Sequence, residues 1–141
     1  MKKTICTIMF GLFTLACANS QAGDITIDDA WIQEAPPAAK AMAGYLGISN
    51  HSKAAIMLES ATSEDFGSIE IHSSEIHDGM VHMHKEHHLA IGPGASLRLE
   101  PGGYHLMLMK KQRNFQAGDR VDIELHFSNG EAIHIEAEVR K

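Results

Sequence analysis

Four histidines and methionines, residue types that can bind metal ions, stand out after the midpoint of the sequence. They are His72, Met83, His105 and Met107, separated by ten, twenty-one and one residues. Imidazole nitrogen binds several transition ions, whereas thioether sulfur is a soft neutral donor that suits Cu(I). Zinc in proteins instead prefers thiolate, imidazole or carboxylate ligands. Binding of a soft metal ion is therefore the chemistry that these residue types suggest.

Two of these residues lie in the segment PGGYHLMLMK, in which a Gly-rich turn leads into an apolar strand. Residues two apart on a strand project from the same face, so His105 and Met107 can reach one ion together. Leu106 and Leu108 then point the other way, and we expect them in the core.

His72 closes the predicted strand GSIEIH, with its phase opposite to that of Ile69 and Ile71. Its imidazole therefore lies off the apolar face. Taken singly, such residues have ordinary structural explanations. A methionine in an apolar strand usually fills the core, and a histidine at a strand end is usually solvated or hydrogen-bonded. The spacing of His105 and Met107 adds only modestly to the metal-binding interpretation.

The start of the chain, MKKTICTIMFGLFTLACANSQAG, has the layout of a secretory signal peptide. Two lysines precede an apolar run that is short for a membrane span, and small residues follow it. We expect residues 1–22 to be removed, so that a periplasmic protein begins near Gly23. The alternative is lipid attachment at Cys17, although Thr14 stands where a lipobox has an aliphatic residue.

Cys6 and Cys17 are the only cysteines, and both lie in the predicted leader. The domain predicted for residues 23–141 therefore has no thiol and no disulfide, despite its oxidising compartment. All ten histidines follow the leader, as do six of the eight methionines. Any soft-metal chemistry must use the methionine thioethers.

The formal net charge of the chain is −6, and removal of Lys2 and Lys3 makes it more negative. An acidic surface argues against nucleic acid or anionic lipid as partners, and it favours cations. The length suits one domain.

Short runs with period-two alternation recur along the whole chain, from DITIDDAWI near the start to EAIHIEAEV at the end. No segment shows an amphipathic helical period over a dozen residues. The pattern predicts an all-β fold, either a sandwich or a barrel of antiparallel strands.

The last two predicted strands form a hairpin whose register follows from parity. The apolar positions 121–127 and 133–139 are all odd, so opposed residues on one face must have numbers that sum to an even value. A two-residue Asn129-Gly130 loop breaks this condition. We therefore predict a loop with an odd number of residues, for example three with Gly130 in the left-handed region. A register with Glu131 opposite Phe127 would refine this prediction, and one with Glu131 opposite Ser128 would refute it.

The spacing His-x10-Met-x21-His-x-Met resembles the motif of the periplasmic PCuAC-type copper chaperones. The segments IEIH, GMVHM, PGGYHLMLM and AGDRVDIELHFSNG agree with that family, and the resemblance covers most of the chain after the leader. It implies a cupredoxin-like antiparallel Greek-key β-sandwich. It also implies one Cu(I) ion bound by His72, Met83, His105 and Met107.

The resemblance further implies a metallochaperone without catalytic turnover. Its recipient would be the CuA centre of cytochrome c oxidase, reached directly or with a Sco-like thioredoxin-fold protein. Two other classes remain open: a redox-active copper enzyme on the same fold, and a metal-independent secreted interaction domain. An enzyme that cycles through Cu(II) is expected to use harder ligands than thioethers. No nucleophilic triad and no phosphate-binding glycine loop is suggested.

The segment HDGMVHMHKEHH is richer in histidine than the family motif requires. We interpret it as a loop, with two alternatives of about equal weight. Either it is a solvated polar segment, or it forms an auxiliary site for a second ion, Cu(II) or Zn(II). The candidate ligands are His77, Met80, His82, His84, His87 and His88.

Overall fold

A computed structural model describes residues 23–141, so the predicted leader and both cysteines lie outside the described residues. Ten strands make up the regular structure. They are β1 (Ile25–Gln33), β2 (Ala41–Asn50), β3 (Ile56–Thr62), β4 (Phe66–His77), β5 (Met80–Glu86), β6 (Leu89–Ile91), β7 (Ser96–Leu99), β8 (Tyr104–Lys111), β9 (Arg120–Phe127) and β10 (Ala132–Arg140). In the range 23–141, no helix has the length and apolar character needed to cross a membrane.

The all-β class predicted from the alternating pattern is confirmed. Nine strands form one hydrogen-bonded path in the order β5-β4-β8-β2-β1-β10-β9-β3-β6, and β7 pairs with β2. One detail differs from the antiparallel expectation, because β1 and β10 run parallel and the sheet is therefore mixed. The other pairings between described strands are antiparallel.

The sheet wraps around a single hydrophobic core. Buried side chains from strands far apart along the path, such as Leu106 of β8 and Leu58 of β3, belong to one cluster. Leu106 and Leu108 are fully buried, as their phase on the strand predicted. This leaves His105 and Met107 on the opposite face of β8, away from the core.

The predicted register of the last hairpin is confirmed. Ile133 lies opposite Leu125, and the Phe127 N–H donates to the Glu131 carbonyl at 3.0 Å. The loop has three residues, and Gly130 has a φ of 86°. The odd numbering of the apolar positions was sufficient to predict this register, because both strands pack one face against the core.

The histidine-rich segment is a hairpin rather than the loop that we expected. β4 does not end at His72 but continues to His77, which pairs with Met80 across a two-residue turn. Asp78 and Gly79 have φ values of 51° and 76°, as a type I′ turn requires. Asp-Gly is a strong signal for this turn. The residues on either side of it are mostly polar, however, so the segment lacks the alternation of apolar and polar residues that identifies a strand.

Candidate metal centre

His72 and His105 lie directly opposite each other on the paired strands β4 and β8. Their ring centroids are 5.8 Å apart, and the ring planes are inclined by 54°. Two residues along each strand, Glu70 lies opposite Met107 on the same face of the sheet. Directly opposed residues share a face of the sheet, so two imidazoles, a thioether and a carboxylate form one patch.

Met83 lies on the same face of the sheet as this patch, on the edge strand β5. It pairs with Ser74, which lies two residues beyond His72 and therefore on the same face of β4. Its side chain is 49% exposed. The structure thus brings His72, His105 and Met107 together on adjacent strands, and it places Met83 on the same face one strand further out.

The His72 ring is held in one orientation by Glu70. Its Nε2 donates to Glu70 Oε2 at 3.0 Å, because an ionised carboxylate can only accept. The neutral ring therefore has its lone pair on Nδ1. The His72 Nδ1 atom is buried and has no hydrogen-bond partner. Every other buried side-chain nitrogen or oxygen in residues 23–141 has one. An unpaired buried polar atom is costly, and a bound metal ion would satisfy it.

The His105 ring is fixed in the complementary way by the turn before β8. Its Nδ1–H donates to the Gly103 carbonyl at 3.1 Å, so its free lone pair is on Nε2. The same carbonyl accepts the Ser74 N–H at 3.1 Å, which ties the turn to β4. Gly102 allows this turn because its φ is 85°. His105 itself is only 4% exposed.

Glu70 joins the patch to the edge strand. It accepts from His72 and also from Lys85 Nζ at 2.8 Å. The hydrogen bond from His72, followed by the one from Lys85, lowers the pKa of Glu70 below its usual range. An ionised carboxylate beside a bound cation offsets part of its charge. The sequence reasoning missed this residue, although its position two before His72 on a strand was a usable signal.

The six auxiliary candidates do not lie with these four. Four of them are exposed on the opposite face of the hairpin: His77, Met80, His82 and His84. On β4, His72 and the residues at even positions share one face, whereas His77 and its odd-numbered neighbours share the other. Met80, His82 and His84 pair with odd-numbered residues of β4 and therefore lie on the face of His77. Met80 is therefore not on the face of His72. His87 and His88 lie in the link between β5 and β6. In the described range, no three His, Cys, Asp or Glu side chains already converge as a metal site.

Comparison with known proteins agrees with this fold. Residues 25–139 match the family described as "Putative lipoprotein LpqE-like". A relative from Leifsonia xyli subsp. xyli (strain CTCB07), described as "Putative lipoprotein Lxx21020", is 28% identical in an alignment 138 residues long that covers 90% of this chain and 81% of the relative.

Two solved structures share the architecture. The solution structure of CuI-DR1885 from Deinococcus radiodurans is 30% identical, with a TM-score of 0.67, and the match covers 88% of this chain and 83% of that one. The copper-bound PCuAC domain from PmoF2 superimposes with a TM-score of 0.72 at 21% identity, covering 84% of this chain and 93% of that domain. The chain therefore belongs to the LpqE-like family and has the fold of PCuAC domains, as its sequence motif suggested.

Proposed function

We propose that this protein is an exported Cu(I) carrier that binds one ion at the patch formed by β5, β4 and β8. The observation that carries the proposal is the pairing of His72 with His105. Their ring centroids are 5.8 Å apart, and the hydrogen bond of each ring leaves its other nitrogen with a free lone pair. The free nitrogen of His72, Nδ1, is buried and has no hydrogen-bond partner among the described residues.

The ligands in this proposal are His72 through Nδ1, His105 through Nε2, and the thioethers of Met83 and Met107. All four are neutral, and two soft sulfur donors favour Cu(I) over Zn(II). Glu70 supplies a negative charge next to the site without a place among these ligands. Thioethers need no deprotonation and cannot close to a disulfide, which suits an oxidising compartment.

Release of the ion follows from the unequal exposure of its ligands. His105 is buried, whereas Met83 is half exposed on the outermost strand of the path. An incoming ligand from a recipient protein can displace the Met83 thioether first, while the two imidazoles still hold the ion. A carrier needs such stepwise exchange because it must hold copper tightly and still transfer it.

The recipient that we propose is the CuA centre of cytochrome c oxidase, with a Sco-like thioredoxin-fold protein as a second partner. The support for this part is the likeness to PCuAC-type chaperones and not a contact seen in this chain. Mixing the Cu(I)-loaded protein with an isolated apo CuA domain tests it. We expect copper to move to that domain, and retention of the ion by the carrier would exclude it as a direct recipient.

Copper binding itself is tested by X-ray absorption of the protein with one equivalent of Cu(I). We expect two nitrogen and two sulfur neighbours. Variants His72→Ala, His105→Ala and Met107→Ala should each weaken Cu(I) binding in a competition with bathocuproine disulfonate. Undiminished affinity in all three would favour the metal-independent interaction domain instead.

Export is also part of the proposal, through the leader in residues 1–22. The family and the curated relative are both described as lipoproteins, which supports lipid attachment at Cys17 as the alternative to cleavage before Gly23. The mass of the protein isolated from cells distinguishes the two outcomes, because a lipid-modified N-terminus at Cys17 is heavier than a chain that starts at Gly23.

A further inference from the structure

A second group of metal-binding side chains lies on the β4–β5 hairpin, on the face opposite to His72. Glu75 pairs with His82, and His77 lies two residues beyond Glu75 on the same strand. The three side chains therefore project from one face of the hairpin. All three are exposed, and the rings of His77 and His82 are 6.5 Å apart at an angle of 71°.

These side chains are not occupied by other interactions. No side-chain hydrogen bond or ion pair holds Glu75, His77 or His82 to another residue between positions 23 and 141. The two histidines of the β9–β10 hairpin differ in this respect. His126 and His134 both contact Glu124, at 3.4 and 2.6 Å.

We propose that Glu75, His77 and His82 bind one divalent transition-metal ion, Zn(II) or Cu(II). Opposed side chains on paired strands have Cβ atoms about 5 Å apart and diagonal ones about 7–8 Å apart, so rotamer changes alone bring the three to one ion. Imidazole and carboxylate are the ligands that these ions prefer, and no thioether is needed. His84 follows His82 on the same face and is placed to act as a fourth ligand.

This site is independent of the Cu(I) patch, because the hairpin backbone lies between them. Met83 projects from the face of His72, whereas its neighbours His82 and His84 project from the other face. The protein can then hold Cu(I) and a divalent ion at the same time. The inference rests on the hairpin register and does not require the proposed carrier function.

The test is a titration with Zn(II), which is redox-inert and a poor match for thioethers, of the protein both with and without one equivalent of Cu(I). We expect one Zn(II) per chain. The double variant His77→Asn/His82→Asn should weaken Zn(II) binding at least about tenfold, since loss of even an outer-sphere partner of a metal typically costs 10–100-fold. Glu75→Gln should also weaken it, and the Cu(I) affinity of both variants should stay unchanged.

A matched control removes two histidines from the other hairpin. His126→Asn/His134→Asn should leave Zn(II) binding at the proposed site within about twofold of the unmodified protein, because those rings lie on the β9–β10 hairpin and not on the β4–β5 hairpin. Equal losses in the two double variants would mean non-specific binding by surface histidines and would overturn the proposal. So would an unchanged Zn(II) affinity in His77→Asn/His82→Asn. Failure of the unmodified protein to bind Cu(I) would instead remove the carrier function and leave this result standing.

Discussion

Replacement of Glu70 by alanine tests how the copper patch is organised. The carboxylate holds the His72 ring through Nε2 and so leaves the buried Nδ1 lone pair free for the proposed ion. Without it the ring is free to rotate and to exchange tautomers, and a nearby negative charge is lost. Outer-sphere partners of this kind typically change metal affinity 10–100-fold. Because Glu70 is partly exposed, we expect the lower end, a loss of about tenfold in Cu(I) affinity.

Two matched variants separate the causes of that loss. Glu70→Gln keeps an acceptor for the His72 N–H and removes only the charge, so its loss should be smaller, about threefold. Lys85→Met removes the ion pair with Glu70 but leaves the bond to His72. The Lys85 side chain is more than half exposed, and we expect less than a threefold change for such a surface pair.

The assay is anaerobic competition for Cu(I) with bathocuproine disulfonate at neutral pH. Nitrogen chemical shifts of the His72 ring should show a single tautomer in the unmodified protein and a mixture in Glu70→Ala. Equal affinities for Glu70→Ala and the unmodified protein would refute the reasoning. A loss as large in Lys85→Met would show that the ion pair, and not the ring orientation, is what matters.

Three other predictions follow from the same geometry. Met83→Leu should speed the transfer of Cu(I) to a chelator more than Met107→Leu does, because Met83 is the exposed one of the two proposed sulfur ligands. Stopped-flow measurements test this, and equal rates would contradict stepwise release. Cu(I) affinity should fall between neutral and mildly acidic pH, because protons compete with the ion for imidazole nitrogen. The lowered pKa of Glu70 keeps its carboxylate ionised throughout that range, so a profile flat from neutral to mildly acidic pH would argue against histidine ligands. Leu108→Ala should lower the free energy of unfolding by about 2–5 kcal/mol in urea titrations, because Leu108 is fully buried in the core below the patch.

Local pattern predicted those parts of the fold in which one strand face is buried. The parity of apolar positions gave the β9–β10 register, and the alternation around Leu106 and Leu108 separated the core face of β8 from the face of His105. The parallel pairing of β1 with β10 was not predictable in this way. It depends on contacts between strands that are about a hundred residues apart, which alternation does not encode.

The candidate ligands come from the resemblance of their spacing to a family motif, which says nothing of their surroundings. The partners of His72 and His105 are a carboxylate two residues away and a backbone carbonyl in a glycine turn, and neither has a distinctive sequence pattern. The hairpin that carries Met83 was read as a loop because both of its faces are exposed beyond the core. A strand with two polar faces lacks the hydrophobic alternation that identifies strands.

The hairpin that extends past the core has a consequence for kinetics. A two-stranded ribbon with few buried contacts frays from its turn inward, at a free-energy cost far below that of global unfolding. Met83 lies four residues from that turn, so each fraying event withdraws one of the two proposed sulfur donors while β8 and the base of β4 stay folded. Hydrogen exchange of the β5 amides then reports the same opening that sets how quickly the ion leaves.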